Sequence, residues 1–212
     1  MSYYSALSGL PAVSDNKGNT YIQAPTHEYE NAHRFVYVLN PTVGSGHTVT
    51  VARTNSADIY PAIVIYLFSG VASHDQDGGT TSFPSDVTTV APGLLTPVGA
   101  GALCITGMAI NKADTPTVTG GLTKSDVPQS LGVCIVNSSA YIIQTSIAAF
   151  NPTWNWSTAD KAATSSIIFA KAAGGAKGAK GGGKGNKGGG GVHILSPEGA
   201  ILINIGNPGL DM

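Results

Sequence analysis

His33–Arg53, HRFVYVLNPTVGSGHTVTVAR, decides the class of fold. Its first eight residues are aromatic and β-branched and stop at Asn40-Pro41, a dipeptide that ends regular structure. Its last seven alternate: Val49 and Val51 face one way, Thr48, Thr50 and Ala52 the other, the period of a strand. The segment is expected to form a hairpin turning through PTVGSG, with His33 and His47 opposed near its ends.

The same pattern extends outward. Ser14–Tyr21, SDNKGNTY, reads as a turn rich in residues that tolerate left-handed backbone, leading to a short strand near Tyr21–Ala24. Pro61–Gly70, PAIVIYLFSG, is almost continuously apolar and is expected to be a central strand covered on both faces. Asp75–Pro97 is polar and reads as a long loop with one short strand near Val87–Val90. Gly101–Asn111 returns to strand. Leu131–Asn137 and Ala140–Phe150 read as a pair turning at Asn137-Ser-Ser139. Asn151–Asp160, NPTWNWSTAD, reads as an aromatic loop before a last strand at Thr164–Lys171. About eight to nine strands joined by Gly, Pro and Asn turns, without an amphipathic helix, indicate an all-β antiparallel sandwich or jelly roll.

This body is expected over residues 1–170. Residues 171–191 follow as a Gly/Lys-rich linker: Gly174–Gly191 holds eleven glycines, four lysines and no apolar side chain larger than alanine. Glycine loses the most backbone freedom on ordering and lysine keeps its charge in water, so the run is read as a tether. Partial Gly-X-Y phase at 175–183 does not make a collagen segment, because Lys184 breaks the phase and there is no proline. Residues 192–212 become apolar again and are expected to form a terminal β-hairpin arm, turning at Ser196-Pro-Glu-Gly199. Val192, Ile194, Leu195, Ile201, Leu202, Ile203 and Ile205 are too apolar to stand in water. A lone hairpin is marginal. The arm must dock on its own body or add strands to another subunit.

Charge follows the same division. Only 11% of residues are charged, against roughly 25% in typical soluble domains. Residues 1–170 carry six basic and ten acidic side chains, whereas residues 171–191 carry five lysines and no acid. Such a basic stretch could meet phosphate, but lysines that keep a linker solvated suffice, and no nucleic-acid partner is expected. The start of the chain lacks the basic and apolar regions of a secretory leader, and no stretch is apolar and long enough for a membrane-spanning helix. Retention in a cytoplasm until assembly is therefore expected. Cys104 and Cys134 sit in apolar strands and read as buried thiols, with a single bridge open if the strands are neighbours.

Reactive constellations are sparse. Asp75-Gln-Asp77-Gly-Gly begins like a calcium loop, but its fifth position is Gly79 and its twelfth is Asp86, so no metal site is expected. The five histidines are scattered without zinc spacing. There is no nucleophile elbow and no phosphate loop. A glycoside hydrolase needs facing carboxylates on a cleft; Asp15, Asp75, Asp77, Asp114 and Asp126 fall in expected turns. No enzyme activity and no cofactor are expected. Trp154 and Trp156, spaced i and i+2, could present a stacking platform to a glycan, or else close the sandwich core.

Five segments in order carry a resemblance: VSDNKGNTY (Val13–Tyr21), VYV (Val36–Val38), HTVTV (His47–Val51), FSGV (Phe68–Val71) and AFNPTW (Ala149–Trp154). Over roughly residues 13–170 the chain resembles the β-sandwich modules with V-S-D-x-x-G-N-T-Y … F-S-G-V … N-P-T-W signatures, found in phage virion and prophage proteins and in bacterial surface proteins. The resemblance implies a sandwich fold and a structural or adhesive role, and it transfers no catalytic residue. The Gly/Lys run and the C-terminal segment are not part of that pattern. Together these readings lead to the expectation of a tailed-phage virion protein: a capsid decoration, head-fibre or tail-associated protein. It would be assembled in the host cytoplasm as a homo-oligomer, with a trimer as first guess, alongside other virion proteins. The alternative is a bacterial surface or secreted glycan-binding module, whose partner would be a host-surface glycan.

Overall fold

The computed structural model describes residues 12–24, 31–52, 62–82, 84–110, 112, 114–126, 136–173 and 199–208. These form fourteen strands: β1 (Ala12–Asp15), β2 (Ile22–Gln23), β3 (Asn31–Leu39), β4 (Val49–Ala52), β5 (Ala62–Ser69), β6 (Val71–Thr81), β7 (Val87–Val90), β8 (Leu103–Ile110), β9 (Thr117–Val118), β10 (Thr123–Asp126), β11 (Val136–Ile143), β12 (Trp154–Asp160), β13 (Ala162–Lys171) and β14 (Gly199–Pro208). All pairing between them is antiparallel, and no helix lies among the described residues. None of these residues therefore forms a helix long and apolar enough to cross a membrane. The expected all-β sandwich is the fold.

Four sheets stack in layers. The front sheet runs β2-β3-β14-β5 and the middle sheet runs β10-β11-β8-β13-β6. The β1-β4 pair covers the outside of the front sheet, and a small β7-β12-β9 sheet covers the outside of the middle one. Alternation along the strands builds the layers. On β3, Phe35, Tyr37 and Leu39 point into the core shared with Leu103, Ile105, Ile167 and Phe169 of the middle sheet. Its Val36 and Val38 point outward under Val13, Tyr21, Val49 and Val51. On β8, Met108 and Ile110 face Val90, Trp154 and Trp156 of the back sheet. Three stretches are thus buried on both faces: all of β8, β13 from Ala162 to Phe169, and β3 from His33 to Val38.

Several expectations are corrected. The strands of His33–Arg53 exist, but they do not form a hairpin: β3 pairs with β2 and β14, and β4 pairs with β1. Continuous apolarity made β5 read as central, yet it is the edge of the front sheet, with Ile65 51% and Leu67 58% exposed. Asp75–Thr81 is the body of β6 and not a loop, since pairing with β13 overrides the low strand propensity of Asp and Gly. Asn137-Ser-Ser139 is no turn: β11 runs straight through it, with all three residues buried. NPTWNWSTAD ends in a strand, β12.

Candidate assembly interface

The C-terminal strand sets the character of the front sheet. Residues 199–208 do not project from the body; they occupy a slot between β3 and β5 of the same chain. Ala200 lies opposite Leu39 on one side and Phe68 on the other, and the register holds without a shift to Gly206 opposite His33 and Ala62. Of the expected arm, Ile201, Leu202, Ile203 and Ile205 fall on this strand. Val192, Ile194 and Leu195, and with them the first strand of the expected hairpin, lie outside the described residues, as does the Gly/Lys run from Gly174 onward.

The slot is closed at one corner. Ser69 ends β5, Gly70 turns the chain with φ +78°, and Val71 begins β6 in the other sheet. Just after β13, the N–H of Ala172 donates to the carbonyl of Gly70 at 2.8 Å. Gly199, where β14 begins, lies opposite Ser69. The end of β13 and the start of β14 therefore lie at neighbouring positions.

Beyond β14 the sheet ends at β5, whose outer edge has no partner among the described residues. Natural edges are guarded by charge, proline or bulges. The middle sheet's edge strand β6 has all but the proline: it carries Asp75 and Asp77 and two register shifts against β13. By contrast, β5 reads AIVIYLFS and pairs in unbroken register, without a charged residue. Its Tyr66 and Phe68 turn inward, stack with ring centroids 5.5 Å apart and meet Tyr141 of the middle sheet. The Tyr66 hydroxyl shares a 2.6 Å hydrogen bond with Ser139. The strand is thereby fixed by its inner face, while Ile65 and Leu67 present an apolar outer face to solvent.

A second organised cluster surrounds Asp15. Its carboxylate accepts from the backbone N–H groups of Lys17 (2.9 Å) and Asn19 (3.1 Å), from Asn19 Nδ2 (2.6 Å) and from the Tyr21 hydroxyl (2.8 Å). His47 Nε2 lies 3.0 Å away. Burial alone would raise this carboxyl, but the hydrogen bonds from Asn19, Tyr21 and His47 outweigh it and hold it well below the usual range. Burial and the bond to Asp15 push the Tyr21 phenol up. Lys17, Asn19 and Tyr21 order the DNKGNTY turn around this carboxylate, and His47, two residues before β4, ties it across, so the motif fastens β1 to β4. His47 belongs here, whereas His33 is buried in the core with Nδ1 against Ser165 Oγ; the two do not oppose each other.

The remaining sequence candidates are dispersed. Trp154 is wholly buried and Trp156 is 7% exposed, both packed between the middle and back sheets. The glycan platform is corrected accordingly: stacking on a sugar needs an open ring face, and these indoles close the core. Asp75 and Asp77 do not bound a calcium loop. Asp75 accepts from the Val98 N–H at 2.9 Å, and Asp77 lies 3.0 Å from His74 Nε2. Asp114 accepts from the N–H groups of Ser157 and Thr158 and from the Ser157 hydroxyl; these bonds hold it low despite the upward push of burial. No three His, Cys, Asp or Glu side chains converge among the described residues. Cys104 is a free, buried thiol pushed up to about 12 by burial and then by Asp75; Cys134 lies outside the described residues. Two shallow clefts, one around Gly70, Gly101 and Lys171 and one around Gly120, Gln144 and Phe150, are lined by no acid, histidine or cysteine.

Sequence reasoning singled out the C-terminal strand but missed the edge character of β5. The signal was available: a strand flanked by Pro61 and Gly70, with neither charge nor interruption, suits an exposed edge as well as a buried centre. Compared with protein-family models, curated proteins and solved structures, the chain matches none.

Proposed function

We propose that this chain is a non-enzymatic structural protein of a tailed-phage virion, of the capsid-decoration, head-fibre or tail-associated kind, and that it assembles through its front sheet. One observation carries the reading: among the described residues, the sheet ends in an eight-residue strand with no charge, no bulge and an apolar outer face. Free-standing domains blunt such edges, because a row of unpaired N–H and C=O groups is a template for another chain. A protein destined for a dense assembly gains from leaving one open. The low charge content fits the same use, since surfaces that are to be packed need little charge for solubility.

The test is direct. Particles produced by a host carrying the gene are purified by density gradient, and their proteins are identified by mass spectrometry. The chain is expected in the particle fraction in many copies per particle. Its confinement to the soluble fraction, with particles of normal composition, would refute the assignment.

A further inference from the structure

We propose that β14 is exchanged between copies in the assembled state, so that the slot between β3 and β5 of one chain is filled by residues 199–208 of a second copy. This rests on the assembly reading above and names the partner and the contact. The observation behind it is the corner at Gly70. Ala172 bonds to Gly70 and Gly199 lies opposite Ser69, so the hop from the end of β13 to the start of β14 spans neighbouring positions. A link of about two to six residues suffices for such hops. The chain spends residues 173–198 on it, twenty-six in all. Fully extended, that length reaches about 85–95 Å.

The thermodynamics favour exchange only where copies crowd together. A copy lacking its own β14 presents two facing edges, β3 and β5, each with a row of unmatched backbone groups. A second copy's β14 would make the same antiparallel ladders there in the same register, so the contact energies of the two arrangements are equal and only tether entropy and local concentration differ. Gly-rich links of twenty-six residues have a root-mean-square span of roughly 25–30 Å, and joined through one a strand has an effective concentration at its slot on the order of millimolar. Dilute chains therefore complete themselves. Copies fixed side by side at higher local concentration exchange strands, which ties each copy to the next by a central strand instead of a surface patch.

Leu67 and Ile201 are register partners on β5 and β14, and so are Ile65 and Ile203. Full-length Leu67→Cys and full-length Ile201→Cys are co-expressed, assembled and oxidised, then separated without reductant, and cross-linked peptides are mapped by mass so that bridges to Cys104 or Cys134 are told apart. Neither variant can close the 67–201 bridge within one chain. A disulfide-linked pair containing one of each is expected in the assembled fraction and is expected to be absent from the dilute single-chain fraction. Leu67→Cys/Ile201→Cys in one chain establishes that the bridge can close, and the Ile65→Cys and Ile203→Cys pair replaces it if it does not. The otherwise intact chain with residues 174–198 replaced by a five-residue turn is expected to keep its fold and lose the mixed bridge. Assemblies in which only within-chain bridges form would overturn the exchange and leave the assembly reading standing; a chain that stays single at every concentration would overturn both.

Discussion

The indole N–H of Trp154 donates to Thr106 Oγ1 at 3.1 Å, and the same hydroxyl donates to the carbonyl of Ser165 at 3.2 Å. Ser165 in turn meets His33 through its side chain. Four residues on β12, β8, β13 and β3 thus thread a polar line through three sheets and fix their relative positions. Thr106→Val keeps the shape and removes the acceptor, leaving a buried indole N–H without its partner. A loss of about 1–3 kcal/mol is expected by urea denaturation. Trp154→Ala should cost more, about 3–5 kcal/mol, with no change in binding on a glycan array.

Acid should loosen the β1-β4 layer. The Asp15 carboxyl is held below its ordinary value in the folded chain. Its contribution is therefore present above the unfolded value of about 3.9 and is lost as pH falls through the depressed folded value. Melting temperature measured from pH 7 to pH 2 should fall more steeply below about pH 4 in the parent chain than in Asp15→Asn. The variant should already be less stable at pH 7.

Gly70 is the corner between sheets, with φ +78° and no atom within 4 Å of where a Cβ would stand. Space is not the obstacle; backbone handedness is. Gly70→Ala should destabilise by about 1–2 kcal/mol in thermal or chemical denaturation.

The apolar outer face of β5 can be altered without touching the core. Ile65→Lys and Leu67→Lys place a charge where each side chain is already more than half exposed. Stability should change by about 0.5 kcal/mol or less. Self-association measured by sedimentation velocity should weaken markedly, and unchanged association would count against this edge as an assembly contact.

The sequence disclosed strands better than partners. Apolar alternation in HTVTVAR and near-continuous apolarity in GALCITGMAIN mark real strands, the first half-buried and the second buried on both faces. Pairing was less legible. β3 and β4 are separated by a turn-like segment, yet the slot beside β3 is taken by a strand from the far end of the chain, with Ala200 opposite Leu39, and only long-range packing decides that. Polar strands were missed for a related reason. Asn137, Ser138 and Ser139 look like a turn in isolation, but the buried Ser139 finds Tyr66 across the sandwich. The tryptophan pair was ambiguous from spacing alone: an i, i+2 pair on a strand points to one side, and the sequence does not say whether that side holds water or the back sheet.

The position of β14 also has a consequence in time. A ribosome that has finished β13 must add residues 172–208 before the front sheet can close. At about 5–20 residues per second that is a delay of roughly 2–7 s. During that interval β3 and β5 of a nascent chain stand apart, open to whichever β14 arrives first, and chains made side by side on one message would meet at that moment.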